Sequence, residues 1–358
     1  MFSSFLLGES LATWALFVEI LVAGSIVVLL ASRLTRLADT LADRYNLGKA
    51  WIGMLLLATV TSLPEVVTGG TAVWLGNANM ALATLFGSCS FNIILIVLMN
   101  AVIGGGSILR RANGSHVLTS SFGIILMALS LLAITLVLRF EARPGLARAC
   151  EGTLCAIIAV SYCAFVKLTY NFEHSDRPPT VTEAASVATT RGLGWKIGLI
   201  SLLLVTASWW LTNTGDVLST HPIEALGRPL GATFVGAAFL ALATSLPEVV
   251  TCLAAVRMGQ LDLALGNIFG SNMFNILVIP ILKLVSLAGG SSLLLAGANF
   301  DPLQASITGL LPMLLTGITV AGLTYRTKRR FLRFGYDSVL LATCYVVGMY
   351  LLFSPSGS

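Results

Sequence analysis

Two glutamates, Glu65 and Glu248, lie well inside long apolar runs, where an ionised carboxylate costs several kcal/mol unless something compensates it. No Lys or Arg occupies the core of either run, so the compensating charge is a bound cation or a proton rather than a salt bridge. On a helix, Thr61 and Ser62 precede Glu65 by four and three residues and share its face, and Ser88 shares a face with Asn92. Thr244, Ser245, Glu248, Ser271 and Asn275 repeat the arrangement later in the chain. None of these repeated polar positions is a thiol or an imidazole. Hard oxygen ligands suit Ca²⁺, Na⁺ and Mg²⁺ rather than zinc or copper, and Ca²⁺ accepts six to eight oxygens in flexible geometry. Pro64 and Pro247 add to the supply: each lacks an N–H and clashes with the preceding turn, freeing backbone carbonyls near Thr61 and Thr244. Non-helical backbone at membrane depth is tolerated where it lines such a site.

Two glutamates carry a charge of about −2, which balances one Ca²⁺, two Na⁺ or two protons in the same cavity. If the dehydrated site crosses only when its carboxylates are neutralised, one cation must return before another leaves. The residues therefore imply coupled exchange of cations, with either Na⁺ or H⁺ as the counter-ion.

The elements that must hold these side chains are membrane helices. The chain has 358 residues, 56% of them apolar and only 10% charged, a balance that a water-soluble globule does not reach. Apolar runs long enough to cross a bilayer fall near 11–32, 50–74, 78–103, 115–138 and 146–168, then 195–213, 231–256, 260–286, 303–323 and 336–353. They are continuous rather than alternating, which favours helices over a closed barrel. A shift of 183 residues superposes Gly53–Ile96 on Gly236–Ile279 without a gap, and all eight residues from Thr61 to Thr68 agree with Thr244 to Thr251. Phe86-Gly87-Ser88 and Phe91-Asn92-Ile93 return as Phe269-Gly270-Ser271 and Phe274-Asn275-Ile276. Five crossings fit within one offset, so the second copy enters the membrane from the opposite side. The expected architecture is an all-α polytopic protein of about ten transmembrane helices in two inverted five-helix repeats, with the substrate site near the midplane where they meet. The repeats are expected over 1–170 and 195–358, joined over 171–194 by a polar, flexible, cytoplasmic linker containing Pro178-Pro179.

Net charge is +5, but the basic residues lie almost wholly between the apolar runs, which points to topology rather than to a nucleic-acid partner. Loops after odd-numbered runs hold about sixteen Lys and Arg against about five on the other side, which places both termini outside the cytoplasm. Arg326 to Arg333 reads as an anchor on anionic lipid. No basic segment precedes the first run and no small-residue cleavage site follows it, so a removable signal peptide is not expected. The six cysteines read as small buried hydrophobes without disulfides.

Duplicated T-S-L-P-E followed by G-S-x-x-F-N resembles the alpha repeats of the sodium/calcium exchanger family, within the Ca²⁺/cation antiporter superfamily, in a prokaryotic-type member. The resemblance covers both repeats closely and the other helices only in number and hydrophobicity. It implies that Glu65 and Glu248 are the central Ca²⁺ and Na⁺ ligands, and that Thr61, Ser62, Ser88, Thr244, Ser245 and Ser271 complete the cation sites with Asn92 and Asn275. Thr84 and Cys89 stand where the second copy has Asn267 and Asn272, so the halves need not bind alike. Asn275 stands where some relatives carry Asp, which argues against K⁺ co-transport. The G-N-A-x-E pattern of the proton-coupled branch is absent, which favours Na⁺ over H⁺.

Competing readings are weaker on the same residues. A structural carboxylate would not recur with all its neighbours, although single Ser and Thr hydroxyls on membrane helices often bond their own backbone. Gly53, Gly87, Gly236 and Gly270 are read as close-packing positions outside the site. Glu19 has no counterpart in the second half, where the offset lands on Leu202, and stays open as a pathway or interfacial residue. His116, His174 and His221 are read as solvated loop residues. A cation channel would gather its filter from symmetric subunits, whereas this chain already carries both halves of a site. An enzyme would need a nucleophile or a motif such as H-E-x-x-H, and none is present. The expectation is a secondary antiporter without a resident cofactor, in a prokaryotic plasma membrane, with its ions as substrates.

Overall fold

The computed structural model describes residues 13–104, 107–175, 192–220, 244–288, 302–326 and 334–353, with 222–223, 228–229, 293 and 330–331. Helix α1 spans Thr13–Arg44, and its 32 residues make a rod of about 48 Å against a hydrocarbon core of about 30 Å. The expected run stopped at residue 32 because hydropathy marks only the lipid-facing part. The helix continues because a stripe of Ala23, Val27, Ala31, Leu34, Ala38 and Ala42, spaced by three or four, stays buried to its end.

The second run is broken. Helix α2 (Lys49–Thr61) contains one π turn over Gly53–Leu57 and meets α3 (Leu63–Trp74) at an angle of 42°. Ser62 forms the joint with φ −93° and ψ 4°, and Pro64 follows at the start of α3, where its missing N–H has no helical partner to lose. Next come α4 (Ala78–Ile103), whose first turn is capped by Asn77 Oδ1 accepting from Met80 N at 3.0 Å, α5 (Ser115–Arg139) and α6 (Pro144–Ser175).

The second half opens with α7 (Leu193–Thr220). Helix α8 (Leu246–Arg257) repeats the joint at Ser245, with φ −95° and ψ 10°. The earlier part of that run, 231–243, and the linker over 176–191 lie outside the described residues. Helices α9 (Leu261–Ala288), α10 (Pro302–Tyr325) and α11 (Tyr336–Phe353) complete the chain. Two short antiparallel ribbons pair Pro222–Ile223 with Arg228–Pro229, and Arg330–Phe331 with Phe334–Gly335.

The packing repeats with the sequence. Helix α4 lies against α10 and α11 as α9 lies against α5 and α6, while α1 and α7 pair with each other and rest on α8. In its most apolar stretch α9 is 72% buried and α4 61%, against 28% for α6, so the duplicated motif helices form the centre and the outer helices face lipid. Among the described residues, ten apolar segments in two sets of five fit the inverted-repeat architecture.

Glycines set how closely the central helices approach. A Cβ on Gly270 would lie 2.5 Å from Met54 Cα, and one on Gly53 would lie 2.9 Å from Asn267 N, so α2 and α9 meet backbone to backbone. Gly270→Val forces backbone apart where no flexible side chain can yield, and we expect a loss of at least about 3 kcal/mol. Gly70→Ala, with nothing within 4 Å, serves as the control. Melting in detergent, followed by size-exclusion chromatography, checks the pair: Gly270→Val should lose its monodisperse peak and Gly70→Ala should keep it.

Several polar expectations are corrected. His116 is not a solvated loop residue: it is fully buried in the first turn of α5, 2.9 Å from Asp262 Oδ1 through Nε2, with its ring against Phe269. His174 is half-buried on α6 beside Tyr170, and His221 lies outside the described residues. Cys89, Cys155 and Cys252 are buried, but Cys150 and Cys344 are only partly so and Cys163 is exposed on the outer helix α6. The buried pair Lys283 and Glu151, 2.5 Å apart, joins α9 to α6.

Candidate cation site

Glu65 and Glu248 are each the third residue of a new helix, α3 and α8. This differs from a carboxylate inside a kinked helix. The first turn of a helix presents unpaired N–H groups and the positive end of its dipole, so each glutamate enters the protein interior at a place that favours negative charge. The proline beside it and the broken turn before it create that place twice.

Both carboxylates are buried, Glu65 to 2% and Glu248 to 1% exposure. Ser62 Oγ donates across the repeat boundary to Glu248 Oε1 at 3.4 Å, and Ser88 Oγ reaches Glu65 Oε1 at 3.5 Å. Thr61, beside Ser62, lies 3.5 Å from Asn267 Oδ1 and 3.4 Å from Ala58 O. These are contacts at the outer edge of hydrogen bonding. They leave Glu65 Oε2, Glu248 Oε2, Asn92 Oδ1 and Ser271 Oγ buried without a hydrogen-bond partner. A buried acceptor left unmet costs about 1–3 kcal/mol, more when charged, so a group of them needs an explanation, and a hard cation supplies one.

The remaining expected residues fall into place unevenly. Ser245 is buried at the joint before α8, and Thr244 beside it is half-buried. Asn275 is buried next to the Cys89 thiol, and its amide makes no hydrogen bond of good geometry. Thr68 and Thr251 satisfy the carbonyls of Pro64 and Pro247 at 3.0 and 2.9 Å, a matched pair that tidies both joints. Thr84 turns onto its own backbone, Met80 O, at 2.8 Å and takes no part. Glu19 accepts from Trp210 Nε1 at 3.4 Å and Thr214 Oγ1 at 3.3 Å, which makes it a tie between α1 and α7.

Two residues outside the expected set sit among these groups. Asn267 is fully buried and donates to Thr251 Oγ1 at 2.9 Å, with its oxygen toward Thr61. Asn272 receives a hydrogen bond from Asn92 Nδ2 at 3.1 Å. The requirement that a ligand recur in both halves removed them, because Thr84 and Cys89 hold the matching positions. Helical spacing alone carries the signal for Asn267, which precedes Ser271 and Asn275 by four and eight residues.

The profile of the family described as Sodium/calcium exchanger protein matches residues 15–168 and 193–354. The putative antiporter CaxA of Alkalimonas amylolytica is 28% identical over 349 residues, covering 94% of this chain and 98% of that protein. Inner membrane protein YrbG of Escherichia coli strain K12 is 28% identical over 322 residues, covering 88% and 89%. The fold matches the sodium-calcium exchanger NCX_Mj, soaked with Na⁺ and Sr²⁺, with a TM-score of 0.63 at 17% identity, covering 94% of this chain and 99% of that one.

Proposed function

The chain belongs to the sodium/calcium exchanger family, and on that premise we propose that Glu65 and Glu248 form the central site through which this multi-pass membrane protein exchanges Ca²⁺ for Na⁺. The observation that carries the reading is one buried carboxylate from each half, each with an oxygen lacking a partner, joined by the Ser62 to Glu248 contact across the boundary. Thr61, Ser62, Ser88, Asn92, Thr244, Ser245, Ser271 and Asn275 supply the neutral oxygens. Ca²⁺ and Na⁺ are the substrates, and no resident cofactor is needed. With two negative charges, the site is neutral when it holds one Ca²⁺ or two Na⁺, and neutrality is the condition for crossing a dehydrated barrier.

The host is a prokaryotic plasma membrane with both termini outside the cytoplasm and the 171–194 linker inside. Support comes from the basic loops and from a relative named as an inner membrane protein. Exposed Tyr45, Trp195, Tyr325 and Tyr336 lie at helix ends on that same basic side, as interfacial aromatic anchors do.

The test is ⁴⁵Ca²⁺ uptake into proteoliposomes driven by an outward Na⁺ gradient and by a matched proton gradient. Uptake is expected with Na⁺ and not with protons alone. Proton-only drive would assign H⁺ as the counter-ion, and uptake independent of either gradient would refute antiport.

A further inference from the structure

Asn272 and Cys89 stand 183 residues apart, which is the repeat offset, so they occupy the same position in the two halves. In the fold they touch each other. Asn272 Nδ2 donates to Cys89 O at 3.1 Å, and Cys89 Sγ approaches Asn272 O at 3.7 Å. Each side chain reaches its mate's backbone carbonyl, so the pseudo-two-fold axis passes between them, at the centre of the molecule. Both residues are buried, Cys89 fully and Asn272 to 1% exposure.

The first of these bonds has a direction that cannot be reversed. A backbone carbonyl only accepts, so the Cys89 oxygen requires the amide nitrogen of Asn272, not its oxygen, on that side. The Asn272 oxygen must then point the other way, where Asn92 donates to it through Nδ2 at 3.1 Å. That fixes Asn92 in turn. Its nitrogen is committed to Asn272 and its oxygen, buried and without a hydrogen-bond partner, is left on the opposite side. An amide free to rotate would present a donor as readily as an acceptor, and a donor repels a cation.

Resting on the reading of Asn92 as a ligand, we propose that Asn272 is a positioning residue that locks the Asn92 amide with its carbonyl oxygen toward the transported cation. The chain of command runs from Cys89 O through Asn272 to Asn92. The mirror position has no such device: a thiol replaces the amide at Cys89, and Asn275 beside it makes no hydrogen bond of good geometry. The two asparagines of the duplicated motif therefore differ in function. Asn92 is a pre-set ligand, while Asn275 remains free to turn either face to its occupant.

The experiment is a double-mutant cycle on the full-length protein in proteoliposomes, with Ca²⁺ as the probe and half-saturation and maximal rate read separately. Asn272→Ala should raise the Ca²⁺ half-saturation about tenfold at an unchanged maximal rate. In the Asn92→Ala background the same change should add no more than about twofold, because the residue it acts through is gone. Asn272→Ser, which keeps a hydroxyl donor for Cys89 O but is too short to reach Asn92, should behave like Asn272→Ala and guards against loss of folding. Equal losses in both backgrounds, or normal affinity in Asn272→Ser, would overturn the assignment while wild-type uptake still upheld the site. Wild-type protein without Ca²⁺ uptake would overturn both.

Discussion

Glu65→Gln and Glu248→Gln should each reduce Na⁺-driven ⁴⁵Ca²⁺ uptake at least about 100-fold, and the double variant should be inactive. Glutamine keeps the size of the side chain and an acceptor oxygen, so the change isolates charge. With one carboxylate removed the site carries about −1, and a bound Ca²⁺ leaves a net positive charge in a dehydrated interior. A loss of 100-fold corresponds to about 2.8 kcal/mol, below the cost of an uncompensated ion at membrane depth, so the figure is a floor. Glu19→Gln is the matched control. Its carboxylate also lies in a membrane helix, but it is only half-buried and bonds Trp210 and Thr214 across the α1 to α7 contact. Uptake in that variant should stay within about threefold of wild type. If Glu65→Gln and Glu248→Gln transport Ca²⁺ as well as Glu19→Gln does, the charge-balance mechanism fails.

The fold was legible because lipid leaves the backbone few choices. Once apolar runs of the right length recur at a fixed offset, helices in two inverted copies follow. The same logic singled out Glu65 and Glu248 as candidates, because charge in hydrocarbon is conspicuous and its repetition is not accidental. What stayed hidden arises where the copies differ. Asn267 and Asn272 failed a test of repetition, yet they are buried among the residues proposed as ligands, because a site on a two-fold axis is built from both copies and need not be symmetric. The helix break was expected from Pro64 and Pro247. Its consequence was not: the joints fall at Ser62 and Ser245, so each glutamate opens a helix rather than interrupting one. His116 was misplaced for a related reason. A histidine near a predicted loop reads as solvated, but its partner Asp262 begins α9, far away in sequence. Only packing brings the two elements together.

Lys283→Met should be strongly destabilising although it lies away from the proposed cation site. The ammonium sits 2.5 Å from Glu151 Oε2, the side chains are 8% and 0% exposed, and both lie within membrane helices. Removing the lysine takes the opposite charge from beside a buried carboxylate, which costs about 3–5 kcal/mol and should lower the melting temperature in detergent by roughly 10 °C. The pair itself adds little net stability, since desolvating two ions offsets most of their attraction. The double variant Lys283→Met with Glu151→Leu should therefore recover most of the loss. The other half of the molecule supports this. Shifted by the repeat offset, Lys283 becomes Asn100, which holds α4 to α11 through a neutral hydrogen bond to Ser338 Oγ at 2.6 Å. The same helix contact is thus closed in one copy by an ion pair and in the other by uncharged groups, so the geometry does not require charge. Lys283 lies eight residues, or about 12 Å, beyond Asn275 along α9, and the Ca²⁺ half-saturation of folded Lys283→Met should match wild type. A melting temperature unchanged in the single variant, or no recovery in the double, would mean that the two side chains are not energetically coupled.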